Sequence, residues 1–164
     1  MTHAHKARRL ALQGLCCLDV QGEKARPLVE DFLGDSQETP EVVSAARSML
    51  QAAWTDRPAC DALLVRHARN WELTRLALVD RNILRLCACE LREGKASARI
   101  IITEALKLAQ EFSTADSPRF VNGVLDAVAK QISRDGSTAG NRQQATGNRE
   151  EEAEEKEEET KKQE

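Results

Sequence analysis

Residues 97–132 read SARIIITEALKLAQEFSTADSPRFVNGVLDAVAKQI. Two helices are written into this stretch. Ile101, Ala105, Leu108 and Phe112 stand four, three and four apart, which gathers them on one helical face. Ser97 is placed to cap that helix. Ser117-Pro118 opens another, with Val121, Leu125, Val128 and Ile132 turned inward. The short link between the two favours antiparallel neighbours. No segment of period-two alternation stands out anywhere in the chain, so the fold class is all-α.

Working outward, five more helices precede this pair. The first spans about His5 to Leu18, with Ala7, Ala11, Leu15 and Leu18 along one stripe. A short one, about Ala25–Leu33, ends at Gly34. Thr39-Pro40-Glu41 starts a third: threonine caps, proline takes the first helical position and glutamate meets the dipole. It runs to about Ala53. Asp56-Arg57-Pro58 opens a fourth, to about Arg69. Asn70 and Trp71 mark a break, with a separate short turn around Leu73–Leu78. Leu76, Val79, Ile83, Leu86 and Cys87 then trace a fifth stripe that ends before Gly94.

From Asp135 the composition changes. Apolar side chains larger than alanine vanish, and residues 150–164 are dominated by glutamate. The chain therefore divides into a helical body, 1–134, and a polar, then glutamate-rich tail, 135–164, expected to be disordered. The tail holds ten acids and five bases, leaving seventeen acids and nineteen bases in the body. A body of +2 beside a tail of −5 allows local anion binding but not a histone-like electrostatic mode. The tail is expected either to occupy the basic residues Lys6, Arg8 and Arg9, in competition with another anion, or to act as a solubility device.

The aromatic content is 3%, with no tyrosine and four prolines, which argues against a β-sandwich or barrel. No apolar run reaches the ~18 residues of a spanning helix. No secretory leader is evident at the start, and five cysteines, none in a Cys-x-x-Cys pair, suit reduced thiols in the cytoplasm. No glycine-rich phosphate loop, serine elbow or Glu-x-x-His motif is present, so no enzyme, cofactor or metal is expected. Cys16 and Cys17 with His3 and His5 match no common zinc spacing.

Three groups of residues stand out. Lys6, Arg8 and Arg9 precede any acid and sit at a helix start, where the dipole opposes cations. They suit phosphate contacts, or are simply a solvated basic terminus. Phe120 and Asn122 lie off the inward stripe of the last helix, and Gly123 sits mid-helix at a cost of about 1 kcal/mol. Gly123, like Gly14, allows either tight helix packing or a close-approaching RNA, with Phe120 for stacking and Asn122 for hydrogen bonds. Phe120 equally suits a staple into the core. Asp80, Arg81 and Arg85 alternate with core positions, as a solvated charged face or a surface that orients a protein partner.

Together, ARRLALQGL (7–15), WELTRLALVDRNILRLCACEL (71–91) and ITEALKLAQEFSTADSPRFVNGVLDAV (102–128) resemble the NusB family of transcription antitermination factors. The resemblance covers about residues 5–132. It implies seven helices arranged as two three-helix bundles. It implies a small-subunit ribosomal protein, acting as NusE, as partner. With it the protein would bind boxA-type single-stranded RNA of nascent ribosomal transcripts, join other Nus factors on RNA polymerase and suppress premature termination. By the same resemblance Lys6, Arg8, Arg9, Asp116, Phe120 and Asn122 face RNA, and Asp80, Arg81 and Arg85 face the ribosomal partner. Relatives include monomers and dimers, so a homodimer is among the expected states. The chain departs from the family pattern in having Ala4 and His5 at places often basic, Cys16, Cys17 and Cys89 at places often aromatic, and a glutamate-rich tail. A helical protein–protein interaction module without RNA binding is the alternative; a fused RNA-modifying enzyme is disfavoured, because no cofactor-binding βα pattern follows.

Overall fold

The computed structural model describes residues 1–68 and 72–136. Arg69, Asn70 and Trp71, and with them the break expected there, lie outside the described residues, as does the tail from Ser137 on. By backbone proximity Met1–Ala129 form one unit and the chain from Lys130 another.

Among the described residues there are seven α-helices and no strand. They are α1 His3–Gln21, α2 Arg26–Gly34, α3 Pro40–Thr55, α4 Arg57–His67, α5 Leu78–Glu93, α6 Ala98–Phe112 and α7, 117–136. Single 3-10 turns at Glu23–Ala25 and Leu73–Arg75 lead into α2 and α5. The second is the separate short turn expected before the fifth stripe.

The expected caps are in place. Thr39 Oγ1 accepts from Val42 N and Pro40 follows it; Ser97 Oγ accepts from Ile100 N. Gly94 ends α5 at φ 66°, a left-handed turn that glycine takes without strain. Thr2 caps α1 by accepting from His5 N, and the helix starts at His3, just before the expected start. Asp56 alone separates α3 from α4, so these two helices form a tight corner.

α1, α2 and α3 pack on one another, and α5 runs between α4 and α6 while also touching α1 and α3. Gly14 makes the α1 crossing close: a Cβ there would sit 3.0 Å from Leu50 on α3 and 3.0 Å from Val29 on α2. α5 is the most enclosed helix, buried at every position from Asn82 to Cys89. α5 and its neighbours supply aliphatic side chains; Leu12, Leu15, Leu18, Leu50, Leu64, Ile83, Leu86, Ile101, Leu108 and Leu125 are fully enclosed. Each such side chain contributes roughly 1.5–3 kcal/mol by leaving water, which explains how a chain so poor in aromatics holds a core.

Candidate nucleic-acid interface

The first turns of α1 carry the basic cluster, and each cation has an acidic partner from a distant segment. Lys6 Nζ lies 2.7 Å from Glu38 in the α2–α3 link. Arg9 pairs with Glu111 at 2.7 Å and lies over the Phe112 ring, 5.6 Å from its centre. Both keep about a third of their side-chain surface in water, 32% for each. Arg8 differs. It is 4% exposed and grips Glu90 on α5 with two parallel bonds, Nε to Oε1 at 2.9 Å and Nη2 to Oε2 at 2.6 Å. Burial works against its charge, yet the Glu90 bonds win and the guanidinium pKa is raised. The sequence suggested three cations turned to solvent; the structure gives two, with the third a clamp between α1 and α5.

His5 extends this acidic lining. Its Nδ1 is 2.6 Å from Glu104 and its Nε2 3.5 Å from Glu111. Burial would raise the Glu104 pKa, but Lys107 and His5 outweigh it and hold the carboxyl below its usual range. Arg9 and His5 thus bind α1 to α6, from which residues 113–116 lead straight into α7.

Around the start of α7 the second patch is open. Asp116 and Asn122 are exposed and Phe120 is half-buried. Asp116, Phe120 and Gly123 line an open groove together with His67 and Ala68 from the end of α4 and with Arg119 and Val124. Asn122 lies outside that lining. A Cβ at Gly123 would meet nothing within 4 Å, so this glycine does not serve helix packing as Gly14 does. Bare backbone beside a half-exposed ring is the surface that a flat, close-approaching ligand requires.

The third group is not a solvated face. Asp80 is 8% exposed and accepts from Ser117 Oγ at 2.9 Å, tying α5 to the start of α7. Arg85, 7% exposed, reaches Asp61 on α4 at 2.7 and 2.8 Å and Asp19 on α1 at 2.9 Å. Arg81 pairs with the same Asp19 at 2.8 Å and donates to the carbonyls of Leu73 and Thr74. Asn82 donates to Asp19 as well, at 2.9 Å. Burial would raise the Asp19 pKa, but Asn82, Arg81 and Arg85 outweigh it and lower it. Only Arg81 retains an accessible edge, with 17% of its side chain exposed. The solvated-face reading does not hold for Asp80 and Arg85, because helical periodicity locates a side chain on a helix but not the tertiary partner that draws it inward.

The NusB family model matches residues 5–130. The chain belongs to the NusB family. Among its NusB relatives, the transcription antitermination protein NusB of Symbiobacterium thermophilum is 38% identical, over 76% of this chain and 88% of its own length. That of Streptomyces griseus is 40% identical, over 76% of this chain and 90% of its own. T. maritima NusB superposes with a TM-score of 0.72 at 30% identity, covering 79% of this chain and 92% of that one. A chain from the crystal structure of antitermination factors NusB and NusE in complex with dsRNA gives 0.71 at 25% identity, covering 80% and 98%. The seven-helix NusB fold expected from the sequence is therefore the fold observed.

Proposed function

We propose that this NusB family member is a non-enzymatic, RNA-binding transcription antitermination factor, acting in the cytoplasm through its helical body, residues 1–134. With a small-subunit ribosomal protein in the role of NusE it binds boxA-type single-stranded RNA of nascent ribosomal transcripts and prevents premature termination. In that role it joins other Nus factors on RNA polymerase. The observation that carries the reading is the groove of Asp116, Phe120 and Gly123, with exposed Asn122 beside it. Phe120 offers a ring for base stacking, Gly123 lets the strand approach, and Asn122 and Asp116 offer hydrogen bonds to base edges or sugar hydroxyls.

Lys6 and Arg9 supply phosphate contacts by exchanging Glu38 and Glu111 for the backbone, and Arg8 contributes by holding α1 in place. Two cations give a salt slope of about −1.4, a small electrostatic share. A second RNA-contacting subunit adds the missing surface and effective concentration. Arg81 forms the accessible part of the ribosomal-partner contact, with Asp80 and Arg85 setting the geometry of the helix beneath it. Among the described residues no helix is long and apolar enough to cross a membrane. A homodimer, the other expected state, would cover the RNA surface in this reading.

One observation favours a protein–protein module without RNA binding: Lys6, Arg8 and Arg9 each already face a carboxylate. Fluorescence anisotropy with boxA-type RNA, with and without the ribosomal partner, separates the readings. Antitermination predicts weak binding alone, tighter binding with the partner, and a smaller salt slope in Lys6→Ala/Arg9→Ala. Absence of binding in both settings would leave only the protein–protein module.

A further inference from the structure

Asp56, Cys60 and Cys89 meet where the α3–α4 corner rests on α5, away from the groove of α7. Asp56 precedes α4, and Cys60 stands one turn later on the same side of it. Cys89 comes from α5, which packs along α4. One ligand atom from each, a carboxylate oxygen and two thiol sulfurs, lie within 4.8 Å of one another. Two single cysteines on different helices have no metal-ligand spacing, so no local pattern reveals this meeting.

We infer that Asp56, Cys60 and Cys89 form a binding site for a thiophilic divalent cation of the zinc class, clamping the α3–α4 corner to α5. The spacing suits that ion. Tetrahedral zinc, with Zn–S of about 2.3 Å and Zn–O of about 2.0 Å, separates a sulfur from an oxygen ligand by about 3.5 Å. Cys60 Sγ and Asp56 Oδ2 are 3.6 Å apart. Two sulfurs and one carboxylate favour zinc over magnesium or calcium, which prefer oxygen alone. Both cysteines are buried, 0% and 4% exposed, so the thiolates are shielded from competing reactions.

Access comes from the other side. The side chains of Asp56 and Arg92 are 37% and 36% exposed, which leaves the carboxylate edge open to an arriving ion. Arg92, one turn beyond Cys89 on α5, is ion-paired with Asp56. Arg92 pairs with Oδ2 of Asp56, the same oxygen that faces Cys60, so an arriving ion takes the place of the guanidinium at that oxygen. Binding releases both thiol protons and places two thiolates and one carboxylate around a dication. Among the described residues no further histidine, cysteine or acid joins the group, and water completes the four positions.

Cobalt(II) titration of the full reduced chain tests this directly. The expected result is one equivalent bound, with near-ultraviolet thiolate-to-cobalt bands and intense visible bands of tetrahedral cobalt, all displaced by zinc. Cys89→Ser and Cys60→Ser should each abolish the bands. Asp56→Asn, at a partly exposed position that keeps the core intact, should weaken binding by about ten-fold or more. Cys16→Ser/Cys17→Ser should leave the titration unchanged. The site is overturned if wild type shows no thiolate band, if the band survives Cys89→Ser, if it disappears in Cys16→Ser/Cys17→Ser, or if Asp56→Asn binds as wild type does. The wild-type spectrum and Asp56→Asn decide the matter even if Cys60→Ser fails to fold.

Discussion

Arg8→Ala separates a structural cation from an RNA-contacting one. Arg8 is 4% exposed, and its two bonds to Glu90, at 2.9 and 2.6 Å, tie the first turns of α1 to α5. A third donor, Nη1, is 3.3 Å from the Ala4 carbonyl. Removing the guanidinium leaves Glu90, 12% exposed, with a carboxylate that water reaches poorly. Breaking a buried pair from one side costs about 3–5 kcal/mol. Partial access of water to Glu90 places the loss near the lower end, about 3 kcal/mol. For a body of this size that lowers Tm by roughly 10 °C. Removing both charges with similar volume, Arg8→Met/Glu90→Leu, should recover most of the loss. Differential scanning calorimetry reads the melting, and RNA anisotropy at 15 °C reads binding by the still-folded variant. The reasoning is refuted if Arg8→Ala melts within about 2 °C of wild type while RNA affinity collapses.

Asp19→Asn should cost about 3 kcal/mol at neutral pH, because Arg81, Arg85 and Asn82 lose their shared acceptor. The folded pKa of Asp19 lies below its ordinary 3.8, so its contribution is full above that value and lost as pH falls through the folded pKa. The gap between wild type and variant should therefore close in urea titrations carried below that pH. The two mid-helix glycines should respond in opposite directions. Gly123→Ala adds a methyl in open space and should raise stability by about 1 kcal/mol while weakening RNA binding. Gly14→Ala drives a methyl to 3.0 Å from Leu50 and Val29 and should cost about 1–3 kcal/mol. Asp80→Ala deprives Ser117 of its α5 acceptor and should cost about 1–3 kcal/mol by thermal melting, without a change in the affinity of Lys6 or Arg9 for phosphate.

The helices were legible because their ends are chemically marked. Thr39-Pro40, Ser97 and Gly94 each satisfy groups that a helix end leaves unpaired, and each stands where the backbone turns. Apolar spacing then located α6 and α7 to within a few residues. The electrostatics were not legible. Arg8 meets Glu90 across 82 residues and Arg81 meets Asp19 across 62, distances over which no local pattern carries information. Three charged positions therefore looked like surface when tertiary partners had drawn them inward. Phe120 was legible as a residue off the core stripe, and the structure adds what spacing could not: Gly123 faces open space, and the end of α4 forms the opposite wall of the groove. Cys60 and Cys89 read as small core hydrophobes, which their burial supports; their meeting with Asp56 depends on how α4 lies on α5.

The proposed place where RNA is held is the groove beside Phe120. Ultraviolet crosslinking of boxA-type RNA to the chain in the presence of its ribosomal partner, followed by peptide mass spectrometry, tests that most directly. Nucleotide adducts on the peptide containing Phe120 and Asn122, lost in competition with unlabelled boxA RNA, are the predicted result. Adducts confined to other segments of the body, or none on this chain while the partner is labelled, would contradict it.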